Sequence, residues 1–206
     1  MKPLLALLVL VAVAAGCGGS KHTTAPPTTT TAPPATTAPA TTTTASPSPL
    51  QAEAKAAATG DIPDNQVFLR FGDPAAGYSM KYPEGWAQQG SGSTVTFRDK
   101  NNIVRIVVKP GGAATPADAK HDLAGVTGAT IIGSARTTTI SGHPAVKVTY
   151  TTQSAANAVT GKRLTLAVDR YYLWLAGKRA VIDLGTPQGV DNVDAYRLMI
   201  GSFTWK

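Results

Sequence analysis

Residues 60–206 predict an α+β fold, a mainly antiparallel sheet of seven to nine strands covered on both faces, with two helices. Three observations carry this. Short runs alternate apolar and polar residues and close on turns rich in Gly, Pro, Asn or Asp, which is hairpin text. Tyr171-Tyr172-Leu173-Trp174-Leu175 is apolar on both parities, so it sits mid-sheet with cover on each side. Two stretches carry helix start signals, one at Thr115 and one at Asp191 or Asn192.

Taken in order, Val67–Phe71 alternates and Gly72-Asp73-Pro74 turns it. Tyr78, Met80 and Tyr82 face one way, with Ser79 and Lys81 opposite. Pro83-Glu84-Gly85 is a turn, because Pro presets its first corner and Gly supplies a positive φ. Thr94–Arg98 and Ile103–Lys109 form a hairpin about Asp99-Lys100-Asn101-Asn102, its second strand apolar on both faces. Lys109-Pro110-Gly111-Gly112 is a plain turn, since no GK[ST] or GxGxxG follows to cradle a phosphate. Thr115 then caps a helix with Pro116 at its first position and Asp118 in its first turn. Ala117, Leu123 and His121 or Ala124 are expected to face inward, and Gly125 and Gly128 end it. Ile131–Ile140 is the next strand, turned by Ser141-Gly142-His143-Pro144 into Val146, Val148 and Tyr150. A polar loop spans 154–161, and Leu164, Leu166 and Val168 lead into the Tyr171–Leu175 run. Gly177-Lys178 turns that run into Arg179–Leu184. Tyr196 and Ile200, four apart, mark the last helix. Phe203 and Trp205 are expected to pack back on the fold.

Ahead of this domain lie two further segments. Residues 1–16 carry Lys2, an uncharged apolar run from Leu4 to Ala15, and the small residues Ala14-Ala15-Gly16. That is the layout of a secretory signal peptide. A spanning helix needs about 20 apolar residues, so the run is too short to remain as one. Ala14-Ala15-Gly16-Cys17 resembles a bacterial lipobox, with Ala14 where the pattern usually has Leu. The resemblance implies cleavage between Gly16 and Cys17, an S-diacylglycerol thioether on Cys17 and acylation of the new amine. Two or more acyl chains hold a protein stably at a bilayer where one does not. The expected location is therefore the extracytoplasmic face of the cell membrane, with membrane lipid contacted through Cys17. Cys17 is the chain's one cysteine, so no internal disulfide and no Cys-based metal site can form. Residues 17–59 are Thr, Ala and Pro with almost nothing else, too polar to bury a core, and predict a disordered tether. Thr beside Pro suits O-glycosylation, and lone His22 reads as a solvated bystander.

Charge and motifs narrow the function. In residues 60–206, 16 Lys and Arg stand against 11 Asp and Glu, a net +5, scattered rather than clustered. Nucleic-acid binders concentrate their charge, so nucleic acid is not an expected partner. Mild attraction to an anionic membrane or wall polymer is a better use of it. Ser141 and His143 share a turn but no GxSxG is present, and His121 and His143 lack ligand partners at metal spacing. Asp169 and Asp183 could approach across a hairpin, an arrangement that more often makes salt bridges with Arg170 or Arg179. No catalytic residue, metal ligand or cofactor is expected.

Tyr78-Ser79-Met80-Lys81-Tyr82-Pro83-Glu84-Gly85-Trp86 resembles the opening of PsbP-like domains. Arg170-Tyr171-Tyr172 through Gly177, Ile182-Asp183-Leu184, Asn192-Val193-Asp194 and Ser202-Phe203-Thr204-Trp205 resemble that family's ending in actinobacterial lipoproteins. The resemblance implies an α/β/α sandwich around the antiparallel sheet, about seven strands in all. It also implies a non-enzymatic adaptor. Photosystem members bind a protein complex and help retain metal ions, and a nuclear-transport relative binds a GTPase. The His and acid cluster needed to carry over the metal role is not found here. The expected function is a lipid-anchored envelope module that binds another envelope protein or a wall component. The alternative is a small-molecule or lipid carrier with an apolar pocket near Tyr172 and Trp174.

Overall fold

The computed structural model describes residues 59–206. The leader, Cys17 and all of the tether but Thr59 lie outside the described residues. The elements run β1 (Phe68–Asp73), β2 (Tyr78–Pro83), β3 (Ala87–Ser91), β4 (Thr94–Asp99), β5 (Asn102–Pro110), α1 (Pro116–Ala124), β6 (Thr130–Ile140), β7 (His143–Gln153), β8 (Thr165–Leu175), β9 (Lys178–Pro187), α2 (Val193–Gly201) and β10 (Thr204–Trp205). The main sheet has seven strands in the order β3-β4-β5-β9-β8-β7-β6, every pairing antiparallel. The α+β class and, within residues 60–206, the two helices are as the sequence predicts.

The expected sheet of about seven antiparallel strands is present, and beside it β1, β2 and β10 form a separate three-stranded sheet. β2 pairs β10 across the domain, Ser79 with Thr204 and Tyr78 with Trp205. Such a partner, remote in sequence, leaves no local trace. β3 was also not expected. Its text, AQQGS, lies exposed along a sheet edge and has no apolar alternation.

Each face of the main sheet carries its own apolar core. On the front face, Val95, Phe97, Val104, Ile106, Tyr171 and Ile182 pack with the small sheet and α2. Phe97 meets Phe71 edge-on at 5.4 Å and stacks on Tyr82 at 4.3 Å between ring centroids. On the back face, α1 lies over β6 and β7, with Ala119 and Leu123 set against Val146, Val148, Tyr150 and Tyr172. The expected inward set for α1 is corrected here, since Ala117, His121 and Ala124 are all exposed. Thr115 does cap α1, its Oγ1 accepting from the Asp118 amide while the Asp118 carboxylate accepts from the Thr115 amide.

Asn192 stands at the N-cap of α2 but makes no capping bond. Its side chain instead accepts from the Ile62 amide at 2.8 Å and donates to the Gly60 carbonyl at 3.0 Å. Asn102 also donates to Gly60, at 2.6 Å. These amides tie the start of the domain to β5 and α2.

Candidate functional site

The two layers covering the sheet are offset. Among the described residues, α1 covers the β6–β7 side of the back face, and no helix lies over the back of β3, β4 and β5, although Asp122 of α1 borders the β5 side. Period-two geometry and the pairing register say which residues stand there. From β4 come Thr94, Thr96 and Arg98, and from β5 come Ile103, Arg105, Val107 and Lys109. No acidic residue of β3, β4 or β5 shares this face. Arg98, Arg105 and Lys109 are exposed and make no ion pair among the described residues.

One cross-strand row organises the site. Thr96 pairs with Arg105, Arg105 with Asp183, and Asp183 with Arg170, across β4, β5, β9 and β8. Asp183 thus lies between two arginines, and Arg170 takes it. Arg170 Nε donates to Oδ1 at 2.6 Å and Nη2 to Oδ2 at 2.9 Å, with both side chains buried. The Tyr150 hydroxyl donates to the same Oδ1 at 3.3 Å, and its ring lies 5.2 Å from the guanidinium carbon. Burial works against the Arg170 charge, but the bonds and charge of Asp183 outweigh it and hold its pKa above the ordinary value. Burial, with the Asp183 charge added, pushes the Tyr150 phenol up to about 12, so it stays protonated and donates. Arg105, whose cross-strand carboxylate is already engaged by Arg170, makes no ion pair among the described residues.

Above this floor lies a groove. A cavity of about 370 Å³ is lined by Thr96, Arg98, Ile103, Arg105, Tyr150 and Thr152 among others. A second, of about 310 Å³, continues it past Val107 and Lys109 toward Asp122 of α1. Both share Arg105, Val126, Arg170 and Asp183.

A separate cavity of about 440 Å³ opens on the front face between α2 and the β6–β8 side. Of its three cations, Lys147 bonds Asp169 at 2.6 Å and lies over the Tyr171 ring at 5.4 Å, Arg197 bonds Asp194 at 2.7 Å, and Arg136 makes no ion pair among the described residues. Burial opposes the Lys147 charge, and Asp169 more than restores it. The expected approach of Asp169 to Asp183 does not occur. One register step separates them, Asp169 opposite Leu184 and Arg170 opposite Asp183, so they point to opposite faces. Arg179 bonds neither, donating instead to the Gly112 and Ala113 carbonyls at 2.9 Å each. Ser141 Oγ donates to the Gly201 carbonyl at 2.7 Å rather than toward His143. His121 and His143 are exposed.

Tyr172 and Trp174, expected to open a pocket, line none of these cavities. Tyr172 is fully buried in the back core, and Trp174 packs half-buried against the same cluster. Side chains fill the space that the carrier reading needs there. Tyr172 still adjoins the groove floor. Burial outweighs the opposing Arg170 charge and raises its pKa, and its hydroxyl meets no hydrogen-bond partner among the described residues.

The sequence reading missed Arg98, Arg105 and Lys109 as a group. A signal was present in β5. Past Asn102, one parity runs Val104, Ile106 and Val108, all apolar, while the other alternates Ile103 and Val107 with two cations. A strand whose second parity carries cations and no acids marks an uncovered cationic face.

No family model matches the chain, and no curated protein matches it in sequence. Among solved structures, the cyanobacterial PsbP (CyanoP) of Synechocystis sp. PCC 6803 aligns with a TM-score of 0.50 at 17% identity, over 71% of this chain and 98% of that one. The Ran-binding protein Mog1p of Saccharomyces cerevisiae aligns at 0.42 and 10% identity, over 68% of this chain and 96% of that one. LpqN, involved in cell envelope biogenesis of Mycobacterium tuberculosis, aligns at 0.38 and 18% identity, over 68% of this chain and 91% of that one. The likeness to CyanoP shows that this domain has a PsbP-like fold.

Proposed function

We propose that this chain is an exported lipoprotein, held at the extracytoplasmic face of the cell membrane through Cys17, whose PsbP-like domain is a non-catalytic binding module of the envelope. The tether of residues 17–59 spaces the domain from the lipid, and the partner is an envelope protein or a wall component. One observation carries the binding reading. Among the described residues, the back of β4 and β5 carries no helix and presents Arg98, Arg105 and Lys109 without ion pairs over a floor fixed by Arg170 and Asp183. A buried ion pair contributes little net stability, so it is better understood as fixing geometry than as holding the fold together. The lipobox-like Ala14-Ala15-Gly16-Cys17 supports the anchor.

The test has two arms in the protein's own cells. Cys17→Ser is expected to abolish lipid-type processing and to move the protein out of the membrane fraction. A variant as membrane-bound and as fully processed as wild type overturns the anchor. A photo-crosslinking residue at Thr96 is expected to capture a specific envelope adduct, while one at Lys162, in the exposed loop, captures none. Equal capture at both positions, or none at Thr96, overturns the binding face.

A further inference from the structure

We infer that the back-face groove binds a phosphate-bearing ligand, a phosphorylated sugar or polyol, with its phosphate held between Arg98 and Arg105. The inference rests on the binding reading above and names the ligand of that site.

Charge is the first argument. The cavity of about 370 Å³ is lined by three arginines, Arg98, Arg105 and Arg170, and one carboxylate, Asp183. Arg170 and Asp183 neutralise each other through two bonds, which leaves two positive charges facing the space. Two charges match a phosphate monoester dianion better than a single carboxylate.

Geometry is the second. Arg98 pairs with Ile103, so it stands diagonal to Arg105 across the β4–β5 ladder. Diagonal neighbours lie about 7–8 Å apart, within reach of long side chains converging on one group. Guanidinium forks suit phosphate oxygens, which they can bond in pairs. Arg105 is free to turn outward because Arg170 already occupies Asp183.

The rest of the lining identifies what bears the phosphate. Thr96 and Thr152 have hydroxyls with no bond among the described residues, suited to ligand hydroxyls. Ile103 supplies an apolar wall for the C–H face of a ring or short carbon chain. The volume lies at the small end of ligand pockets, enough for one sugar rather than an acyl chain.

The full chain in neutral detergent is titrated calorimetrically with glucose 6-phosphate, glycerol 3-phosphate, glucose and phosphatidylglycerol vesicles. The two phosphate esters are expected to bind, glucose far more weakly. Arg98→Ala and Arg105→Ala should each weaken ester binding about ten- to a hundredfold, as expected for a lost charge-assisted bond. Lys162→Ala should leave it unchanged, and circular dichroism of each variant should match wild type. Arg105→Lys, which keeps the charge and loses the fork, should fall between. Three results overturn the inference. They are no ester binding at millimolar concentration, ester binding indifferent to Arg105→Ala, and binding to vesicles alone that free ester does not compete away. If the Thr96 adduct persists while the esters fail, the phosphate inference falls and the binding module stands. If the esters bind while Cys17→Ser changes nothing and Thr96 captures nothing, the envelope reading falls and the groove chemistry stands.

Discussion

Arg170 and Asp183 meet across β8 and β9 in a two-pronged bond, 2.6 Å from Nε and 2.9 Å from Nη2, with both side chains at least nine-tenths buried. Removing one partner strands the other charge away from water. Asp183→Asn should therefore cost about 3–5 kcal/mol in denaturant unfolding. The double variant Arg170→Met/Asp183→Leu removes both charges and should recover most of that loss, near or above wild type. A double variant as unstable as the single one would show that the pair holds the fold together rather than fixing the geometry of the groove floor.

The same cluster gives an alkaline signature. In the folded chain Tyr150 keeps its proton up to about 12, against 10.0 ordinarily, because of burial and the Asp183 charge. Between those two values the folded state binds more protons than the unfolded state, so stability falls as pH rises. Below 10 the contribution is fully present. Tyr150→Phe cannot deprotonate and should flatten the decline, by up to about 3 kcal/mol across the interval. Unfolding curves at pH 9, 10.5 and 12 measure it, and equal slopes for variant and wild type would refute the account. The decline does not vanish, because Tyr78 and Tyr196 are also raised, chiefly by burial.

Gly185 sits in β9 with side chains of β5 and β8 close against it. A Cβ there would lie 2.8 Å from Ile103 Cγ2 and 3.2 Å from Val168 Cγ2. Neither contact is a flexible chain end, so Gly185→Ala should overpack the site and cost about 1–3 kcal/mol. Adding Ile103→Ala removes the nearer methyl, so the pair should lose clearly less than the sum of the single changes. Strict additivity in thermal or denaturant unfolding would place the strain elsewhere.

These sites show how far residues reveal structure before pairing is known. The β7 alternation was legible because Val146, Val148 and Tyr150 all bury on one face. The two-sided Tyr171–Leu175 run marked β8 as interior, and the structure buries Tyr171, Tyr172 and Leu173 of it while leaving Trp174 half-buried and Leu175 exposed. The α1 stripe was less legible. A nine-residue helix with few large apolar groups allows several inward faces, and only packing selected Ala119 and Leu123. The groove was least legible of all. Arg105, Asp183 and Arg170 become neighbours through register alone, and a one-residue slip would send Asp183 to the other face.

The last prediction concerns how the domain begins. Asn192 is almost fully buried and holds the Ile62 amide and the Gly60 carbonyl, 130 and 132 residues away in sequence. Asn192→Ala leaves the Ile62 N–H without its partner, while Asn102 still reaches Gly60. One unpaired buried donor costs about 1–3 kcal/mol. The loss should be local as well as global, because α2 takes no capping bond from Asn192 and need not unravel. Hydrogen exchange should therefore quicken at Ile62 while the Tyr196 and Ile200 amides in α2 stay protected. Uniform loss of protection through α2 would mean that Asn192 supports the helix itself. Unchanged exchange at Ile62 would mean that the lead-in is held by Asn102 alone.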